Sequence, residues 1–121
     1  MINLKQILIY SQLLIFASAN SCNFDSVAYC GHIPGIVDQL EIKHIDNNSY
    51  DITAEVLGSK QECVNETLLC SNNTINYPTD SKDCLKAEFD KYNLEVKMNY
   101  DSKLNLIDVD ASYLNFKLKE C

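Results

Sequence analysis

The chain has 121 residues, 17 Asp and Glu against 10 basic residues, and a formal charge of −7 at pH 7. Every basic residue is a lysine. The lack of arginine's planar fork counts against nucleic acid as a partner, and an acidic surface disfavours anionic membranes.

Residues 1–19 have the layout of a secretory leader. Lys5 gives a short basic start, residues 7–16 are mostly apolar, and Ala17 and Ala19 are small residues suited to a leader-peptidase pocket. The apolar run is about half of the roughly 20 residues that span a bilayer, so removal of the leader is expected and no membrane anchor follows. The remaining domain, residues 20–121, is long enough for one modest core. All six cysteines, Cys22, Cys30, Cys63, Cys70, Cys84 and Cys121, fall in it. In an exported chain an even set of this kind implies disulfides rather than catalytic thiols or a zinc site, and no C-x-x-C spacing argues otherwise.

Period-two alternation begins with Leu40 and Ile42, interleaved with Gln39, Glu41 and Lys43. Asp46-Asn47-Asn48-Ser49 turns the chain, and Tyr50, Ile52, Ala54 and Val56 alternate on the return. This predicts a β-hairpin. His44 extends the apolar parity as a half-buried edge residue, while His32 precedes the turn Ile33-Pro34-Gly35. Neither lies in a triad or ligand motif, so no catalytic residue, cofactor or metal is assigned.

Residues 58–91 carry little periodicity, yet a structureless loop of that length is improbable in a compact domain. One or two short strands are expected there, with a helical turn over residues 83–90, where Leu85 and Phe89 stand four apart. Cys63 and Cys70 enclose six residues, which makes them the favoured pair for a local bridge. The other four cysteines leave three connectivities open.

The last third predicts a three-stranded antiparallel meander. Tyr92, Leu94, Val96, Met98 and Tyr100 share one face, residues 104–109 return after a turn at Asp101-Ser102-Lys103, and Leu114, Phe116 and Leu118 complete it. Cys121 has the parity of Asn115, Lys117 and Lys119, placing it on the polar side of the last strand. The greasy face needs a cover, and the earlier hairpin supplies one. The expected fold is all-β: a small, disulfide-stabilised antiparallel β-sandwich of about six to eight strands.

Three N-glycosylation sequons stand at Asn47, Asn65 and Asn72, each in an expected turn or loop. Asp101, Asp108 and Asp110 read as turn residues, since an Asp-x-Asp supplies too few of calcium's six to eight oxygens. The stretch Tyr29-Cys30-Gly31, followed by the strand around Leu40-Glu41-Ile42, faintly resembles the start of the MD-2-related lipid-recognition domains. The resemblance covers that opening segment and the general plan. It implies a secreted sandwich with a lipid cavity, which Leu94, Val96, Met98, Leu104, Leu106, Leu114, Phe116 and Leu118 could line.

Two functions follow as expectations. The first is a secreted, non-enzymatic glycoprotein that binds an extracellular protein. The second is a small extracellular carrier of a lipid or another apolar molecule.

Overall fold

A computed structural model of the chain describes residues 22–112 and 114–121; the expected leader, residues 1–19, lies outside them. Nine strands form in chain order: β1 (Ala28–Ile33), β2 (Val37–Asp46), β3 (Ser49–Val56), β4 (Ser59–Thr67), β5 (Leu69–Ser71), β6 (Thr74–Asn76), β7 (Val96–Asp101), β8 (Leu106–Ala111) and β9 (Leu114–Glu120). One helix among the described residues, α1 (Cys84–Lys91), sits between β6 and β7. Every pairing is antiparallel.

The sheet order is β4-β3-β2-β1-β9-β8-β7-β6-β5. The early strands and the late meander are therefore joined through β1 and β9, where Tyr29 pairs with Glu120 and Cys30 with Lys119. The sheet curls so that Ile42 and Ile52 on one half meet Met98, Val109 and Leu118 on the other in a single core. The result is sandwich-like or barrel-like: two facing layers cut from one continuous sheet. Gly31 makes the β1–β9 junction possible, because a Cβ there would stand 2.6 Å from Leu118 Cδ2 and 2.9 Å from the Lys117 carbonyl oxygen.

The β2–β3 hairpin forms in the expected place, with Leu40 opposite Ala54 and Ile42 opposite Ile52. Asn47 takes the left-handed conformation (φ 46°) in its two-residue turn, a geometry Asn tolerates better than most residues. The middle stretch holds more strand than its composition suggests: β4, β5 and β6 rather than one or two. β4 continues through the buried Leu68, whose amide donates to the Asn48 carbonyl at 3.0 Å, directly into β5.

That continuation overturns the Cys63–Cys70 pairing. Apart from a bulge at the left-handed Asn65 (φ 53°), the chain runs on from β4 into β5 instead of turning back, so Cys70 is carried away from Cys63 and meets Cys22. The bridges are Cys22–Cys70, Cys30–Cys121 and Cys63–Cys84, with Cα separations of 5.4, 4.9 and 5.7 Å. They tie the segment before β1 to β5, β1 to the chain end beyond β9, and β4 to the start of α1. Cys121 meets Cys30 on the polar side of its strand, as its parity suggests, at the β1–β9 junction in the middle of the sheet order rather than at an edge.

The helix forms where Leu85 and Phe89 stand four apart. Asp83 is its N-cap, accepting the Lys86 amide at 3.1 Å through Oδ2, and Lys86 Nζ reaches Asp90 Oδ1 at 2.6 Å. Leu85 is buried and Phe89 packs edge-on against Tyr77, with ring centroids 5.1 Å apart. Tyr77 in turn donates from its hydroxyl to the Val96 carbonyl at 2.9 Å, holding the helix layer to β7. No helix among the described residues is long and apolar enough to cross a membrane.

Candidate functional site

The inward face of the curled sheet is tightly filled at one end and open at the other. Along β3, Ile52 is 6% exposed, whereas Ala54 and Val56 are only half-buried. The same gradient runs from Ile42 back to Leu40 on β2, from Met98 back to Leu94 before β7, and from Leu118 back to Phe116 and Leu114 on β9. Four strands thus lose their cover in the same direction, toward the β1–β2, β3–β4 and β8–β9 turns.

What they face is a cavity of about 350 Å³. Its walls are Leu40, Ile42, Ile52, Ala54 and Val56 from one half of the sheet and Val96, Met98, Val109, Ala111, Phe116 and Leu118 from the other. Leu85, Phe89 and Tyr92 close one side from α1 and its end, and Ile33 and Ile36 stand at the β1–β2 turn. Gln61, Glu62 and Glu88 are the polar residues along it. This is the low end of the volume range of small-molecule sites, with the apolar walls such sites have.

Six of the eight residues expected to line a cavity do so: Leu94, Val96, Met98, Leu114, Phe116 and Leu118. Leu104 and Leu106 do not. The Asp101 carboxylate accepts the amides of Lys103 and Leu104 at 3.0 and 3.2 Å, and Asn105 follows in the left-handed conformation (φ 49°). The turn therefore extends through residue 105 and leaves Leu104 68% exposed. β8 then starts at Leu106 with the opposite parity, so Ile107, Val109 and Ala111 face inward. Tyr92 likewise leaves the expected strand face: it caps the C-terminus of α1 and stands half-exposed at the cavity. The contribution of α1 was the feature hardest to read, because an eight-residue helix shows only one apolar i,i+4 pair.

An aromatic cluster shuts the far end. Phe24 lies 5.6 Å from Tyr29, 6.1 Å from Tyr50 and 4.7 Å from Tyr100, ring centroid to centroid. The Tyr29 and Tyr100 hydroxyls both donate to Asn105 Oδ1, at 2.6 and 3.0 Å, and Asn105 Nδ2 donates to Ser26 Oγ at 3.0 Å. Burial, reinforced by the Tyr100 hydroxyl, pushes the Tyr29 phenol up to about 12, and burial also raises Tyr50. The Tyr29 hydroxyl stays neutral and serves as a structural donor. His44 stacks on Tyr50 at 4.9 Å, with Nε2 2.7 Å from the Asn47 carbonyl oxygen.

The sequon asparagines are all exposed and lie toward this closed end: Asn47 in the β2–β3 turn, Asn65 on β4, and Asn72 in the β5–β6 turn beside the end of β7. Of the three aspartates expected in turns, Asp101 holds one, whereas Asp108 and Asp110 lie on β8 because that strand starts at Leu106; each is engaged by donors of its own. Asn115 Nδ2 reaches Asp108 Oδ1 at 2.9 Å and Asp110 Oδ1 at 2.6 Å, while Asp101 takes the two turn amides. Glu41 lies 3.7 and 3.9 Å from the sulfurs of Cys30 and Cys121. Those sulfurs are bonded to each other, so they offer no thiolate to a metal.

The sequence matches no protein-family model, and neither a curated protein nor a solved structure matches the chain.

Proposed function

We propose that this protein is an extracellular, N-glycosylated, non-enzymatic carrier that holds one small apolar molecule between the two halves of its sheet. The observation that carries the reading is the open apolar cavity with its burial gradient. A sheet that only needed a core would interdigitate its side chains to crystal-like density along its whole length. Here Leu40, Ala54, Val56, Leu94, Leu114 and Phe116 face space instead. At about 30 Å³ per methylene-sized group, the share of one water molecule, 350 Å³ admits on the order of a dozen such groups, the size of a medium acyl chain. Three disulfides suit an oxidising compartment, and the sequons lie away from the cavity's open end, where glycans would not obstruct entry.

Titration of the purified protein with cis-parinaric acid, a fluorescent polyene chain, tests the reading. Saturable one-to-one binding that dodecanol competes away is expected. Native mass spectrometry of protein secreted from cells should also find a co-purified apolar ligand in a fraction of molecules. Non-saturable or absent dye uptake would overturn the carrier reading and leave the outer surface as the place to seek a protein partner.

A further inference from the structure

Glu66 is the buried charged residue of the described chain, 3% exposed near the end of β4 and flanked by the exposed Asn65 and Thr67. Its Oε1 has no hydrogen-bond partner among the described residues. At the start of α1, the Leu85 amide and the Asp83 side chain both act on its carboxyl group. Asp83 is also the cap of that helix. Two carboxyls thus meet at the joint between β4 and α1, beside the amides of the first turn of α1. Lys86, the nearest lysine along the helix, directs its Nζ to Asp90 at 2.6 Å. From β3, the cross-strand neighbour of Glu66 is Tyr50, whose phenol is kept neutral by burial.

We propose that the Glu66–Asp83 carboxyl pair is a proton-operated latch on α1, the helix that walls the apolar cavity. With one proton shared between them, the two carboxyls hydrogen-bond and the first turn of α1 is held against β4. Without it, the buried Glu66 anion faces the half-buried Asp83 anion, and the first turn is pushed away from the strand. The Cys63–Cys84 bridge keeps the start of the helix tethered, so release is a loosening about that bridge, with Leu85 and Phe89 withdrawing from the cavity wall. Burial, then the Asp83 hydrogen bond and then its charge hold the Glu66 carboxyl up at about 7. The latch is therefore closed in mild acid and open in mild base.

Amide hydrogen exchange of α1, corrected for the intrinsic effect of pH and measured without ligand, tests the latch apart from the carrier reading. Between about pH 5.5 and about pH 8.5, protection of the α1 amides should fall roughly tenfold or more, the equivalent of one unit of proton linkage. E66Q, which keeps the shape and loses the titration, should give a flat profile. D83N retains a good helix cap but removes the facing charge, and should move the transition to lower pH. It also keeps the test decisive if E66Q fails to fold. Wild-type protection indifferent to pH, or a wild-type profile in either variant, would overturn the latch. Saturable dye binding alongside such a result would leave the carrier intact.

Discussion

Replacing Ala54 with leucine distinguishes an open cavity from a packed core by the sign of its effect. Ala54 lies in the middle of β3 between Ile52 and Val56, opposite Leu40 and Gln61, and faces the cavity. The substitution adds three carbons. At about 0.8 kcal/mol per buried methylene they are worth up to about 2 kcal/mol, less about 0.5–1 kcal/mol for the rotamer freedom lost. A net gain of about 1–2 kcal/mol follows for the ligand-free protein. For a domain of this size, 1 kcal/mol raises the midpoint of thermal unfolding by roughly 4–8 °C. The same three carbons take space from the ligand, so cis-parinaric acid affinity should fall by roughly tenfold, the equivalent of about 1.4 kcal/mol. Calorimetry of ligand-free protein and dye titration read the two effects separately. Overpacking a filled core instead costs about 1–3 kcal/mol. A destabilised variant with unchanged dye binding would therefore refute the reasoning about the cavity.

Gly31→Ala should destabilise the protein by about 1–3 kcal/mol in urea unfolding, because the new methyl meets a backbone oxygen as well as the mobile end of Leu118; an unchanged midpoint would show that β1 and β9 can part. Asn105→Ala should cost about 2–4 kcal/mol, since it strands the Tyr29 and Tyr100 hydroxyls and removes a residue suited to the left-handed turn. Preservation of the near-ultraviolet tyrosine signal in that variant would count against the aromatic plug. Glu66 also sets a pH trend in global stability. The native state holds a proton that the unfolded chain gives up, so stability is full below about pH 4.5, falls as pH rises toward about 7, and is level above. Urea unfolding across that range should show it in the wild type and lack it in Glu66→Gln.

Much of the architecture was legible in the sequence because a half-buried strand writes its own period. Leu40 to Val56 alternate so regularly that hairpin, register and inward face all follow from them. So do Val96, Met98 and Tyr100 on β7 and Leu114, Phe116 and Leu118 on β9. Residue order by itself also placed Cys121 on the polar side of its strand. The pattern failed where side chains rewrote the backbone. At Asp101, one carboxylate captured two amides and extended the turn, which reversed the parity of Leu104 and Leu106. At Leu68, the strand ran on instead of turning back to make a local bridge, and Cys63 and Cys70 were carried apart.

What the sequence determined is local: which residues alternate, where the chain turns, and that its cysteines are available for bridges. Tertiary structure decided what alternation cannot express. The closing of the two halves through β1 and β9 depends on a bare Gly31 meeting Leu118, residues that lie far apart in the chain. The space left between those halves depends on how far they part. Burial of Glu66 beside Asp83 depends on where α1 lands. Each is a relation between distant segments, set by packing and electrostatics in three dimensions, and each is where function is to be sought.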